Sequence, residues 1–199
     1  KVFEECFLAW IHSLNIDLTN EVIALDGKTV RGSGNKRRGE RPIHLVSAWA
    51  EKNRTMLAQV KTEEKSNEIT AIPKVLDMLD IKGSVITIDA MGCQKEIAKK
   101  ILSKGADYIL NLKENQKTLH DDVEAIFKKA EENPQKQYKK MLHLRRVKKT
   151  KGHGRYEIRK YTLVSARDPM MFQIRWPGLK GIAKVETKRI TNNKVERTT

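Results

Sequence analysis

Apolar positions change period several times along the chain. Val2, Phe3, Cys6, Phe7, Leu8, Trp10, Ile11 and Leu14 recur near helical spacing and stop at Asn15-Ile16-Asp17, which predicts an amphipathic helix at the start. The period then shortens. Val22 to Arg31, Ile43 to Ala50 and Thr55 to Lys61 read as three strands, rich in β-branched and alternating apolar residues. A Gly-rich basic loop over 32–42 joins the first two, and Glu51-Lys52-Asn53-Arg54 joins the second and third. Connections this short predict an antiparallel meander.

Helical spacing returns after Ser66, which has the chemistry of an N-cap. Ile69, Ile72, Val75, Leu76 and Leu79 form one apolar face, within which Pro73 is expected to kink the helix or delay its start. Gly83 ends it. Val85 to Asp89 is a fourth strand, apolar enough to be buried on both faces as a central parallel strand would be. A helix over Gln94 to Lys104 buries Ile97, Ala98, Ile101 and Leu102 and stops at Gly105. Tyr108 to Leu112 is a fifth strand, and Asn115 to Glu132 a long helix. The order βββαβαβα is similar to that of ribonuclease H-like folds. It predicts an α/β chain whose mixed sheet has three antiparallel strands, then alternating helices and parallel strands. Beyond Pro134 the pattern gives strands over Met141 to Val147 and Tyr156 to Ser165, joined by a basic turn over 148–154. Two shorter candidates come next, Phe172 to Trp176 and Ile182 to Thr187, before a polar end. The expected organisation is thus a leading helix over 1–20, a core over 21–133 and a basic, β-rich insertion over 134–199.

With 39% hydrophobic and 33% charged residues, the 199-residue chain has the composition of a folded protein, not a disordered one. No stretch reaches the roughly 18 uninterrupted apolar residues of a membrane span, and no membrane partner is expected. The first residue is Lys and no signal peptide is legible, which suggests a piece of a longer chain. Cys6 and Cys93 are too few for a disulfide framework and read as small buried residues of a reducing compartment. The net charge of +15 points to a polyanion as partner.

Two strands end in a carboxylate. Asp26 closes the run Val22-Ile23-Ala24-Leu25, and Asp89 closes Val85-Ile86-Thr87-Ile88. Neighbouring strand tips could hold the pair rigidly enough to flank divalent cations for phosphodiester chemistry. Either residue could instead start a turn or cap the next helix. Lys28 and Arg31 come after Asp26 and could contact phosphate, as could Lys36, Arg37, Arg38 and Arg41 in the basic loop. In the later hairpin Lys148, Lys149, Lys151, His153, Arg155 and Arg159 are further candidate DNA contacts. Glu157 there is either a further acid or the partner of a cross-strand Arg. His12, His44, His120 and His143 show no ligand spacing, and Trp10, Trp49 and Trp176 are expected in the core. Gly92 suits the turn after Asp89, and Cys93 has no neighbouring base to make it a nucleophile.

Three stretches carry a family resemblance. Ile23 to Arg31 resembles the first catalytic block of DDE transposases of bacterial insertion sequences. Lys61 to Pro73 and Ile88 to Gln94 narrow the likeness to the H-repeat-associated, ISAs-type group, and His153 to Arg159 matches its later His-Gly-Arg block. The resemblance implies that Asp26 and Asp89 are the first and second metal-binding acids, with two Mg²⁺ or Mn²⁺ ions in the complete enzyme. It implies double-stranded DNA, both transposon ends and target, as partner, a homodimer when complete, and a bacterial cytoplasmic, nucleoid-associated location. The first 20 residues resemble the tail of an N-terminal associated region. The family's third acid is a Glu in a His-Trp-x-x-Glu-Asn type block, which this sequence lacks and which Glu157 does not match. By that resemblance the chain is expected to stop before the last catalytic helix and to be inactive alone. Two rivals remain at this point: a non-catalytic DNA-binding remnant, and a metal-dependent nuclease of similar topology.

Overall fold

The computed structural model describes residues 2–39, 41–62, 68–132, 142–152, 155–167, 171, 174–191 and 194–198. They divide into two compact units, Lys1–Gln116 and Lys117–Thr199.

The first unit opens with helix α1 (Val2–Ser13), then strands β1 (Val22–Thr29), β2 (His44–Ala50) and β3 (Thr55–Lys61). Helix α2 (Glu68–Asp77), strand β4 (Val85–Ile88), helix α3 (Lys95–Ser103) and strand β5 (Asp107–Leu110) complete it. The five-stranded sheet has the order β3-β2-β1-β4-β5. Pairs β1–β2 and β2–β3 are antiparallel, whereas β1–β4 and β4–β5 are parallel. Direct loops, long over 30–43 and hairpin-length over 51–54, allow the first kind of pairing, and crossovers that include a helix are needed for the second. This is the ribonuclease H-like mixed sheet.

One face of the sheet carries the core. Ile23, Leu25, Val46, Ala48, Ala50, Ile86 and Ile88 are buried in one cluster with Ala71, Ile72, Val75 and Leu76 of α2 and Ile97 and Ile101 of α3. Alternation sends the intervening residues to the other face, and there Val22 is 38%, Trp49 39% and Ile109 64% exposed. The expectation that β4 is buried on both faces therefore holds for one: Ile86 and Ile88 are buried, Val85 and Thr87 only half so. Trp49 does not fill the core, and neither does Trp10 at 54% exposure on α1. Cys6 is exposed as well, while Cys93 is buried. Helix α2 runs through Pro73. The buried face it presents to the sheet outweighs the backbone bond that proline removes.

The second unit holds helix α4 (Lys117–Glu132) and an antiparallel sheet of order β6-β7-β8-β9. Its strands are β6 (Leu142–Gly152), β7 (Arg155–Ser165), β8 (Gly181–Thr191) and β9 (Lys194–Thr198). Lys184 of β8 lies 3.0 Å from Glu131 and 6.0 Å from the centre of the Phe127 ring, tying strand to helix. Lys148 to Gly152 belong to β6 and not to a turn, because they ladder against Arg155 to Arg159. Residues 174–176 form no strand, β8 runs beyond its expected end, and β9 was not expected. The long helix starts at Lys117, after a 3-10 turn over Glu114–Gln116. Ser66, Met141, His153, Gly154 and Phe172 lie outside the described residues. Among the described residues no helix is long and apolar enough to cross a membrane.

Candidate metal centre and nucleic-acid interface

In the parallel β1–β4 ladder Leu25 stands beside Ile88. The next residue on each strand is an aspartate, so the register sets Asp26 and Asp89 side by side where β4 ends. Leu25 and Ile88 point into the core, and alternation turns both aspartates to the opposite, exposed face. Neighbouring strands run about 4.8 Å apart, a spacing at which two carboxylates can share divalent cations.

Polar residues extend this pair into a row. Asp26 pairs with Ser47, and Ser47 with Gln59, whose amide donates to Ser47 Oγ at 3.1 Å. On the other side Ile88 pairs with Leu110, which sets Asn111 beside Asp89. Leu25, Thr87, Ile88, Asp89, Ile109 and Asn111 line an open depression of about 330 Å³.

Asp89 also caps a short turn. Its Oδ1 accepts the Met91 amide at 3.0 Å and so opens the 3-10 turn Ala90–Gly92. Residue 92 has to be glycine, since a Cβ there would fall 2.2 Å from Ile88 Cγ2. The metal-ligand and turn-cap readings of Asp89 are thus compatible, one oxygen being enough for the cap.

The donor chemistry can be tested against the metal. Two exposed carboxylates, Asp26 within β1 and not at its tip as expected, and Asp89 just past the end of β4, are hard oxygen ligands of the kind Mg²⁺ and Mn²⁺ take, and Mg²⁺ keeps several waters beside one or two carboxylates. Among the described residues no group of three His, Cys, Asp or Glu is close enough to hold an ion. The pair therefore fits the metal as a partial donor set.

Sequence reasoning missed what braces Asp26 from behind. Gly27, Thr29 and His44 face the core side, and Glu68 at the start of α2 reaches them. Thr29 Oγ1 lies 2.9 Å from His44 Nδ1, and His44 Nε2 lies 2.7 Å from Glu68 Oε1. His44 had no local partner spacing to reveal it. The strand–helix contact is legible only in three dimensions, although Glu68 falls within the second stretch of family resemblance.

Cys93 is 2% exposed, and burial pushes its thiol up to about 11. It is protonated at neutral pH, which removes it as a nucleophile.

The basic residues are distributed over both units. Lys28 lies two positions beyond Asp26 on the same exposed face, and Arg31, Arg37, Arg38 and Arg41 are exposed on the loop after β1. Lys36 belongs to the 3-10 turn Lys36–Arg38. In the second unit the ladder separates the candidates. Lys148 pairs with Arg159 and shares a face with Arg155, whereas Lys149 and Lys151 pair with Ile158 and Tyr156 on the other face. Glu157 is 9% exposed and meets both the neighbouring Arg159 and the cross-strand Arg189. Burial would raise its pKa, but the two guanidinium groups outweigh that and hold the carboxyl below its ordinary value. Arg159 is tied in turn to Tyr161 and Glu157, which raise its own pKa. Glu157 is accordingly an ion-pair centre in the sheet.

Against known proteins, the family described as "Transposase DDE domain" matches residues 17–196. The Escherichia coli K12 protein named "H repeat-associated putative transposase YhhI" is 43% identical over 179 residues, covering 89% of this chain and 46% of its own. "Putative transposase YncI" of E. coli O157:H7 is 45% identical over 181 residues, covering 89% of this chain and 44% of its own. The chain thus spans about half the length of these curated relatives. A solved piggyBac transposase synaptic complex with hairpin DNA superposes with a TM-score of 0.40 at 8% identity, over 84% of this chain and 33% of that one. The strand order, not this slight likeness, carries the fold.

Proposed function

We propose, for a chain that belongs to the DDE transposase family, that Asp26 and Asp89 are the first and second acids of a divalent-metal site serving cleavage and strand transfer at insertion-sequence ends. The observation that supports this is the parallel register, in which the pair Leu25–Ile88 is succeeded by an aspartate on each strand. When bound, Mg²⁺ or Mn²⁺ would activate the attacking oxygen and offset charge on the leaving one.

The chain's own residues supply position and charge. Asp26 sits on a strand paired on both sides, with β2 and β4, so its carboxylate is carried by backbone that has little freedom to move. Asp89 is oriented by the Met91 amide on one oxygen. Lys28, on the same face, is placed to neutralise a phosphate brought to the pair. Arg31, Lys36, Arg37, Arg38 and Arg41 extend that positive surface along the loop and hold a duplex by its backbone without reading bases. In the second unit Lys148, Lys149, Lys151 and Arg155 supply further phosphate contacts, and the family resemblance adds His153 and Arg159 as candidates. The partner is double-stranded DNA, both transposon ends and target. The complete protein acts as a homodimer in the bacterial cytoplasm, at the nucleoid. No residue of this chain is assigned the family's third acid.

Calorimetric titration of Mn²⁺ into the chain and into the Asp26→Asn/Asp89→Asn double variant tests the site, with circular dichroism confirming that both are folded. Saturable binding to the parent and none to the variant is the expected result. A folded parent that binds no Mn²⁺, or a variant that binds it equally well, overturns the assignment and leaves a DNA-binding segment without a metal.

A further inference from the structure

Asp89 stands one residue past the last β1–β4 ladder pair, so the strand register alone does not hold its carboxylate. Its orientation depends on the Met91 amide, which donates to Asp89 Oδ1 at 3.0 Å. That N–H belongs to the peptide unit whose carbonyl is that of Ala90. Asn115, in the 3-10 turn after β5, donates its side-chain amide to this same carbonyl at 2.6 Å. Because a peptide unit is planar and stiff, a grip on its oxygen fixes the direction of its N–H. We propose that Asn115 is a positioning residue for Asp89, acting through the Ala90–Met91 peptide to aim and strengthen the amide that holds the carboxylate. The inference rests on the metal-site reading above and adds to it the device that presents the second acid.

Two further contacts show that the segment after β5 is fitted to this turn. The Asn111 amide donates to the Ile88 carbonyl at 3.1 Å, just before the aspartate. The Gln116 side-chain amide meets Gln94 Oε1 at 3.1 Å, beyond the turn, and Gln94 in turn donates to the Met91 carbonyl at 3.4 Å. Asp89 is therefore bracketed by ties at 88, 90 and 94. The middle tie alone reaches the peptide that touches the carboxylate. The Ala90 carbonyl also accepts the Cys93 amide at 3.2 Å, so loss of Asn115 leaves the turn closed but its peptide held by the weaker, longer of two bonds. A donor on that carbonyl also polarises the peptide and strengthens its N–H toward Asp89.

The test uses Asn115→Ala, Asn115→Asp and Asn115→Gln, with Glu114→Gln as a control in the same turn. Asn115→Asp keeps the shape and loses the donor; Asn115→Gln keeps the donor on a longer arm. Mn²⁺ affinity is measured by calorimetry, and exchange of the Met91 amide proton by NMR on metal-free protein. Outer-shell partners of ligating carboxylates change metal affinity on the order of tenfold or more. The Ala and Asp variants should weaken Mn²⁺ binding by that factor and speed Met91 exchange at an unchanged thermal midpoint. Asn115→Gln should recover part of both, and the control should match the parent. Folded Ala and Asp variants whose affinity stays within about twofold of the parent, well below the outer-shell effect, overturn the proposal, as does unaltered Met91 exchange. A parent that binds no Mn²⁺ overturns the metal-site reading instead, and the Met91 exchange rates then still decide whether Asn115 holds the peptide.

Discussion

Glu68 holds its carboxylate where a side chain on Gly27 would begin: a Cβ there would lie 2.0 Å from Glu68 Oε1. The same oxygen is bonded to His44 Nε2 at 2.7 Å. Gly27→Ala must therefore push the carboxylate aside and break that bond. Because the displaced group ends a flexible side chain, helix α2 itself need not move, and the cost is that of one hydrogen bond to a charged group, about 1.5–3 kcal/mol. Urea melts of Gly27→Ala should show this loss, and in a Glu68→Ala background the same substitution should cost much less. An equal cost in both backgrounds would mean that the close approach is not what requires glycine next to Asp26.

Glu21 gives the fold an acid limb. It is 1% exposed, and its carboxylate accepts the amides of Val22 and Lys52 at 2.9 Å, that of Asn53 at 3.2 Å, and the Asn53 side chain. Burial pushes its pKa up, but these donors prevail and hold it below the ordinary 4.5. A carboxylate with a depressed folded pKa contributes stability that is present above the unfolded value and lost as pH falls through the folded one. Stability should therefore decline as pH drops below about 4.5. Glu21→Gln should lower stability at neutral pH by roughly 1–3 kcal/mol, the cost of leaving buried donors poorly matched. It should also flatten that decline. An acid limb of unchanged steepness in the variant would assign the effect to other carboxylates.

The two thiols should behave differently. Cys6 is exposed, whereas Cys93 is buried with its thiol pushed up to about 11. An aromatic disulfide reagent at neutral pH should modify one equivalent rapidly in the native protein and the second only after denaturation. Rapid modification of a Cys6→Ser variant would show that the segment after Asp89 opens readily.

Phosphate contacts and ion-pair partners separate by salt. Lys28→Ala, Arg37→Ala and Arg38→Ala should weaken duplex binding alike for any sequence, each reducing the salt slope by about 1. Arg159→Ala should act chiefly on stability, since Arg159 pairs with the buried Glu157. Fluorescence anisotropy of a labelled duplex between about 50 and 200 mM salt, beside thermal melts, distinguishes the two behaviours. A drop of about 1 in the salt slope for Arg159→Ala, with no change in melting, would make it a DNA contact.

The sheet of the first unit was legible because its strands differ in chemistry from what surrounds them. Ile23 and Leu25 alternate with half-buried or exposed positions, and β3 matches its predicted bounds. The second sheet was harder to read for a physical reason. Along β6 and β9 cations occur on both faces, as at Lys148 and Lys149, so alternation of apolar and polar residues does not mark the strand. Trp49 misled because it lies on the face of the first unit's sheet opposite the packed helices. At the site, Asp26 and Asp89 were legible as the acids that close two apolar runs, although β1 continues beyond Asp26 to Thr29 because Gly27, Lys28 and Thr29 still ladder against β2. The brace of Thr29, His44 and Glu68 and the grip of Asn115 on Ala90 were not, since each joins elements distant in sequence through polar residues that leave no periodic trace.

The parallel ladder that carries Leu25 beside Ile88 also governs which changes of chain length a relative could tolerate. Residues may be gained or lost in the loops and helices between β1 and β4 without disturbing the two carboxylates, so long as that pairing re-forms. One residue added inside β4 would instead turn Asp89 toward the core and bring a neighbour to the face where Asp26 waits. The spacing of the acids along the chain is free to drift; the parity of β4 is not.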